Sequence, residues 1–236
     1  MTEVVSVERE NIRSFAFLDL ETTGLAEAKI TELSIAVVHR EDLLSAHSRV
    51  VHTGNGERVE PQSLRLPRIV DSLNLCFDPN KEITEDASNM TGLCNEDLCR
   101  SKKMVFEKHA VDAVNALLSR QEKPVCLVAH NGDKFDFLVL RRELEGLSLH
   151  LDPDVLSVDT LPAFRHFDTV RRVNPNIQCN DQRSYGLPDI HHRKLGAFPK
   201  ESHTAFADVQ TLMKVVIADI HMFVKWADKN AESFLK

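Results

Sequence analysis

The chain has 236 residues, 42% of them hydrophobic and 28% charged, a globular balance with enough sequence to bury a sizeable core. Its net charge of −7 excludes a uniformly basic surface, so a nucleic-acid partner would have to be held by a local patch or by metal ions. Cys76, Cys94, Cys99, Cys126 and Cys179 are irregularly spaced without a C-x-x-C pair, which points to reduced thiols in a cytosolic or nuclear compartment rather than a disulfide framework or a zinc site.

The N-terminal MTEVVSVEREN carries acids where a signal peptide has a basic flank and an apolar core, and residues 1–12 are expected to form a short arm. Phe15 to Gly24, FAFLDLETTG, is apolar on both faces as far as Leu20, the pattern of a central strand covered on each side. Successive strand residues alternate faces, so Asp19 and Glu21 point the same way. Two neighbouring carboxylates repel unless a cation or a proton lies between them. A divalent metal site and a strand end that has reached solvent both remain open at this point.

Gly24 supplies a turn, and Ile30 to Arg40 follows as a second strand, most simply in an antiparallel hairpin. Glu41 to Arg68 is irregular, with Gly54, Asn55, Gly56, Pro61 and Pro67, and its middle reads as a mobile loop. Ser72 to Phe77 is a third strand. Thr84 is placed to cap a short helix ending before Gly92, and Asn95-Glu96-Asp97 opens another. Val105, Phe106, Ala110, Val111, Val114, Leu117 and Leu118 recur at helical spacing up to about Arg120.

Val125 to Ala129 is a short apolar strand running into His130-Asn131-Gly132-Asp133 and a helix from Phe135 to about Glu145, closed by Gly146. Such βα units carry functional groups at the strand's carboxyl end. Val155 to Asp159 is one more strand, with Pro162 in the first turn of the next helix. Arg165 to Lys194 has the one basic balance in the chain, six Lys/Arg against three acids. Within it, Arg165 to Gln182, with Arg165, Arg171 and Arg172, is expected to be a mobile nucleic-acid-binding arm; a solvated linker is its alternative. A final helix runs from near Thr204 to Ala231. Its most apolar part, Met213 to Val224, is broken by Lys214, Asp219 and His221, too polar for a membrane span. A soluble single domain over residues 1–236 is expected.

Asp136, in the first turn of its helix, and Asp208, five residues after His203, complete four carboxylates and one histidine. That set suits two-metal hydrolysis of a phosphodiester, in which paired cations clamp the phosphate and a histidine near neutral pKa takes a proton from the attacking water. Magnesium prefers carboxylate oxygen. Taken singly, Asp136 and Asp208 are also ordinary helix-start acids favoured by the dipole, and His203 an ordinary surface residue.

FLDLETTGL, the AHNG-x-x-x-D segment at Ala129–Asp136 and H-x-x-x-x-D at His203–Asp208 together resemble the three motifs of DEDD-type 3′–5′ exonucleases of the histidine subtype. Within that group the chain is similar to the three-prime repair exonucleases of animals. Leu64-Arg65-Leu66-Pro67-Arg68, Asp71-Ser72-Leu73, Ala87 to Leu93, Cys126 to Gly132 and Val158 to Pro162 carry the likeness over about Phe15 to Ala227. The resemblance implies a ribonuclease-H-like α/β fold, a mixed five-stranded sheet flanked by helices. It implies Asp19, Glu21, Asp136 and Asp208 as ligands of two Mg2+ ions, with Mn2+ as substitute, and His203 as general base. Leu25 and Met90 would wedge against bases at the 3′ end, Asn131 and Phe135 would line the terminal nucleotide's pocket, and Arg183, Ser184 and Tyr185 would approach the phosphate backbone. The implied partners are DNA 3′ ends, single-stranded or frayed, and a second copy of the chain, in the nucleus or cytoplasm. Met90 replaces a common isoleucine, Lys134 a common arginine, and Gly186 and Pro188 depart from the family pattern; the hydrophobic tail of one branch is absent. An RNA exonuclease and an inactive nucleic-acid-binding scaffold on the same fold are the alternatives.

Overall fold

Ser14–Thr22 forms β1, and its alternation decides how the sheet is covered. Phe15 and Phe17 enter one core, with Val38, Phe164, Val216 and Phe223. Ala16, Leu18 and Leu20 enter a second core on the opposite face, with Ile35, Val114 and Phe137. A strand buried on both faces belongs at the centre of a sheet, and β1 lies there in the computed structural model. The model describes residues 10–51, 64–171 and 183–236, with the side chains of 47–51 and 171 excepted.

β2 (Ile30–His39) pairs antiparallel with β1, closing the expected hairpin, and β3 (Asp71–Cys76) pairs antiparallel with β2. On the other side of β1, β4 (Val125–Ala129) and β5 (Leu156–Asp159) run parallel to it, and β6 (Glu232–Ser233) adds an antiparallel edge. The order β3-β2-β1-β4-β5-β6 makes a mixed sheet. It has six strands where five were expected, the extra one being a two-residue pairing too short to leave a periodic signal. The carboxyl ends of β1, β4 and β5 therefore share one edge, where open α/β sheets place their sites.

Several helices follow local rules. In α2 (Glu85–Thr91) the Thr84 hydroxyl accepts from the Ala87 N–H, and Gly92 ends the helix in the left-handed conformation. α3 (Asn95–Arg100) starts where its acids indicate. α4 (Lys108–Ser119) buries Ala110, Val111, Val114 and Leu118. α5 (Asp136–Gly146) differs from expectation at its end: Gly146 stays in the helix, and Ser148 (φ 55°) takes the left-handed turn.

Four expectations change. Residues 40–51 form α1 (Arg40–Val51) rather than irregular chain, because Leu43 and Ala46 share a buried face; of the rest of the expected irregular stretch, 52–63 lie outside the described residues and 64–68 are outside helix and strand. α6 (Thr160–Arg171) occupies the start of the expected arm, since Ala163, Phe164 and Phe167 make it amphipathic, while Arg172 and the Arg171 side chain fall outside the described residues. α7 (Leu187–Leu195) was not foreseen, although Pro188 in its first turn is a helix-start signal. The last helix is two, α8 (Ala205–Ala218) and α9 (Ile220–Asn230), broken at Asp219, whose carboxylate accepts from Lys194. No helix among the described residues is long and apolar enough to cross a membrane.

Candidate nuclease site

The face of β1 that carries Phe15 and Phe17 under the core also carries Asp19 and Glu21 near the strand's end, where helical cover gives out. α8 packs on this same face, and Asp208 in its first turn meets them: one carboxylate oxygen from each of Asp19, Glu21 and Asp208 lies within 4.8 Å of the others. Asp136 arrives from α5, its Oδ1 accepting the Leu20 N–H at 3.1 Å. His203 lies two residues before α8, exposed and in the left-handed region (φ 63°), and its N–H donates to Asp208 Oδ2 at 2.8 Å. Thr204 then caps the helix, its hydroxyl accepting from the Ala207 N–H.

Burial, reinforced at most of these acids by neighbouring negative charge, raises their pKa values above the usual carboxylate range. Burial, then the charges of Asp136, Asp208, Glu21 and Glu32, raise the Asp19 carboxyl well above the usual range. Burial first, then Asp208, Glu32 and Asp136, raise Glu21 to about 8. Asp136 goes to about 7 by burial, against the pull of its own N–H and that of Leu20. Asp208 is also raised by burial, with the His203 N–H opposing. Buried carboxylates whose oxygens converge from Asp19, Glu21 and Asp208 fit a hard divalent cation.

These groups open on a cleft of about 390 Å³, lined also by Leu25, Asn131, Phe135, His130, Lys134, Leu187 and Pro188. Leu25 is 87% exposed, projecting from a turn held at several points. Gly24 sits at φ 136°, where a Cβ would come within 2.9 Å of Thr84 Oγ1, so a side chain is excluded both by conformation and by space. Thr22 Oγ1 donates to the Gly24 carbonyl, Thr84 N–H donates to the Thr23 carbonyl, and Lys81 Nζ donates to the carbonyls of Ala26 and Glu27.

Met90 is exposed on α2 and does not line the cleft. Nor do Arg183, Ser184 and Tyr185, which make a lip beside Leu187. Tyr185 donates to Asp168, Arg183 is 3.5 Å from the same carboxylate, and Ser184 donates to Asp189. The guanidinium groups of Arg165 and Arg193 lie over the Tyr185 ring. His130, its pKa lowered by burial, joins this lip to the start of α6 through the Tyr185 carbonyl and the Thr160 hydroxyl.

Two acids at the site escaped the sequence reading. Asp159, at the end of β5, accepts from the N–H groups of Asn131 and Leu161 at 2.8 Å and so shapes the loop that lines the cleft. An aspartate just before a helix is a capping signal that was available. Glu32 stands directly opposite Glu21 in the hairpin register, and its Oε2 accepts the Ala205 N–H at 3.0 Å. Counting the hairpin residue by residue would have found it.

No family model matches the chain. Solved structures share its fold: the nuclease domain of 3′hExo, described as a DEDDh family member bound to rAMP, at TM-score 0.60 and 12% identity over 89% of this chain and 92% of that one, and an E. coli ExoI–ssDNA complex at TM-score 0.63 and 16% identity over 91% of this chain and 42% of that one. The fold is thus the ribonuclease-H-like one of the 3′–5′ exonucleases. Among curated proteins, three prime repair exonuclease 2 of Mus musculus is 39% identical over 229 residues, covering 96% of this chain and 92% of its own length. Three-prime repair exonuclease 1 of Bos taurus is 35% identical over 94% of this chain and 69% of its own. The chain belongs to the three-prime repair exonuclease family and is a 3′–5′ exonuclease, a class that depends on divalent metal.

Proposed function

We propose that the protein removes nucleoside 5′-monophosphates from the 3′ ends of DNA, single-stranded or frayed, with Asp19, Glu21, Asp136 and Asp208 holding two magnesium ions, for which manganese can substitute. The observation that carries this reading is the convergence of carboxylate oxygens from Asp19, Glu21 and Asp208 within 4.8 Å at the floor of an open cleft. Bound there, divalent cations supply charge stabilisation to both the attacking and the leaving oxygen of the phosphodiester.

The protein's own groups do the rest. His203, exposed at the cleft mouth, takes the proton of the attacking water. Leu25 and Phe135 offer apolar surface to the terminal bases, and Asn131 a polar contact to the terminal nucleotide. Lys134 adds a cation to an otherwise acidic cleft. In this reading Met90 extends the wedge, Arg183, Ser184 and Tyr185 meet the next stretch of backbone, and Arg165, on α6 with its guanidinium over the Tyr185 ring, adds a cation there together with Arg171 and Arg172. The whole of 1–236 is read as one catalytic unit that pairs as a homodimer, a pairing for which the edge strand β3 is available and which the mass of the particle in solution tests.

The test is the loss of nucleotides from 3′-labelled single-stranded, duplex and RNA oligonucleotides with each metal. DNA is expected to be degraded in preference to RNA, and Asp19→Ala to lower kcat at least roughly a hundredfold, about 2.7 kcal/mol of transition-state stabilisation. Near-normal turnover in that variant sinks the reading. For the arm, neutralising Arg165, Arg171 and Arg172 is expected to raise KM and to flatten the salt dependence of DNA binding.

A further inference from the structure

Glu32 has no place among the converging carboxylates, yet it stands next to them. In an antiparallel pair, residues directly opposite share a face, so Glu32 joins Glu21 on the acidic side of the hairpin. Like charges placed opposite one another cost stability, and a compensating interaction is visible. The Glu32 Oε2 accepts the Ala205 N–H at 3.0 Å. Ala205 is the first residue of α8, a helix of 14 residues, and its N–H is one of the four that a helix cannot satisfy internally.

The same short segment is held from its other side. Asp208 Oδ2 accepts the His203 N–H at 2.8 Å. The two carboxylates thus fasten the backbone on both flanks of Thr204, one from the sheet and one from within α8. His203 sits between these fastenings and the cleft in a left-handed conformation (φ 63°) that a β-carbon disfavours. Such a conformation persists only where its surroundings hold it.

We infer that Glu32 is a positioning residue that clamps the start of α8 to β2 and so sets both His203 and Asp208 over Asp19 and Glu21. This rests on the reading of His203 as the base and of Asp208 as a metal ligand. Glu32 is not among the three carboxylates whose oxygens converge and it accepts the Ala205 N–H, so what it must supply is an acceptor oxygen rather than a charge.

Glu32→Gln keeps an acceptor and removes the charge, whereas Glu32→Ala removes both. Glu32→Ala is expected to lower kcat roughly 10–100-fold with KM within about twofold of wild type, and Glu32→Gln to recover most of that loss. Ala205→Pro deletes the donor instead. Proline is accepted at a helix's first position, and Thr204 (φ −125°, ψ 134°) already has the backbone that precedes a proline. It should mimic Glu32→Ala, and the double variant should fall no further than the worse single one. Amide hydrogen exchange at His203 and Ala205, faster in Glu32→Ala than in Glu32→Gln, reads the clamp without turnover. Wild-type kcat in Glu32→Ala overturns the inference. So does a Glu32→Gln variant as impaired as Glu32→Ala that also binds Mn2+ more weakly, since that is how a metal ligand behaves. If Glu32→Ala does not fold by circular dichroism, Glu32→Gln and Ala205→Pro decide. If wild type shows no turnover at all, the exonuclease reading of the site fails, while the exchange rates still test the clamp.

Discussion

Glu21 and Asp136 are acids that hold protons near neutral pH, and this has a consequence for stability. Glu21 moves from an ordinary 4.5 to about 8, and Asp136 from 3.8 to about 7, both chiefly by burial. Because the folded pKa lies above the unfolded one, the folded state binds more protons between the two values. The stability these groups contribute is complete below the unfolded pKa and is lost as pH rises through about 7 and 8. In chelator, the melting temperature should therefore fall from pH 5 to pH 8.5, and added Mg2+ or Mn2+ should raise it more at pH 8.5 than at pH 5. A metal-induced gain that is equal at both pH values would contradict the acidic site. Leu25 makes the opposite case. At 87% exposure it contributes little to the fold, so Leu25→Ser should change unfolding free energy by no more than about 0.5 kcal/mol while raising KM for oligonucleotides, as steady-state kinetics would show.

The β4–α5 connection shows how an element places a site. Asn131 (φ 60°) turns the chain, Asp159 gathers the loop's N–H groups, and Gly132 lets the loop lie flat on the core. A β-carbon at Gly132 would meet Ala129 Cβ at 2.7 Å and the Phe137 ring at 2.8 Å. Both neighbours are fully buried, so Gly132→Ala should cost about 1–3 kcal/mol by denaturant titration and disturb turnover through Asn131. The start and stop of α2 were legible because capping is local: Thr84 and Gly92 lie within a few residues of what they satisfy, whereas Asn95 opens α3 while its side chain accepts from the Ile83 N–H and donates to the Lys81 carbonyl, 12 and 14 residues back. α1 and α7 were missed because nearby glycines and prolines outweighed short amphipathic patterns. The break between α8 and α9 was missed because Asp219 ends one helix through Lys194, 25 residues away in sequence.

Arg40 and Asp228 tie the two ends of the described chain together. They form a two-point pair at 2.9 Å, 13% and 16% exposed, and Asp228 also accepts the Ile12 N–H. Removing one partner strands the other, so Asp228→Ala should destabilise the protein by roughly 2–3 kcal/mol while leaving kcat per folded molecule unchanged. A loss of kcat without loss of stability would place Asp228 in the wrong role. The acidic net charge makes a related demand: on the proposed reading, with contacts carried by metal in the cleft and the few cations near Tyr185, binding of DNA should weaken with salt far less than for a basic protein of this size.

Asp19 and Glu21 on one face of a central strand, Asp136 and Asp208 at helix starts and His203 just before one could all be read from neighbouring residues, because side-chain alternation and helix capping act over two to five positions. The motifs they form were enough to indicate the family. What the linear pattern did not contain was the pairing of distant segments. Glu32 faces Glu21 through hairpin register and reaches Ala205, 173 residues away; Asp159 holds Asn131 across two strands; Tyr185 turns its hydroxyl to Asp168 and leaves the cleft wall to Leu187 and Pro188. Those contacts depend on which sheet edge each helix docks against, and packing of both cores around β1 settles that at once for all of them.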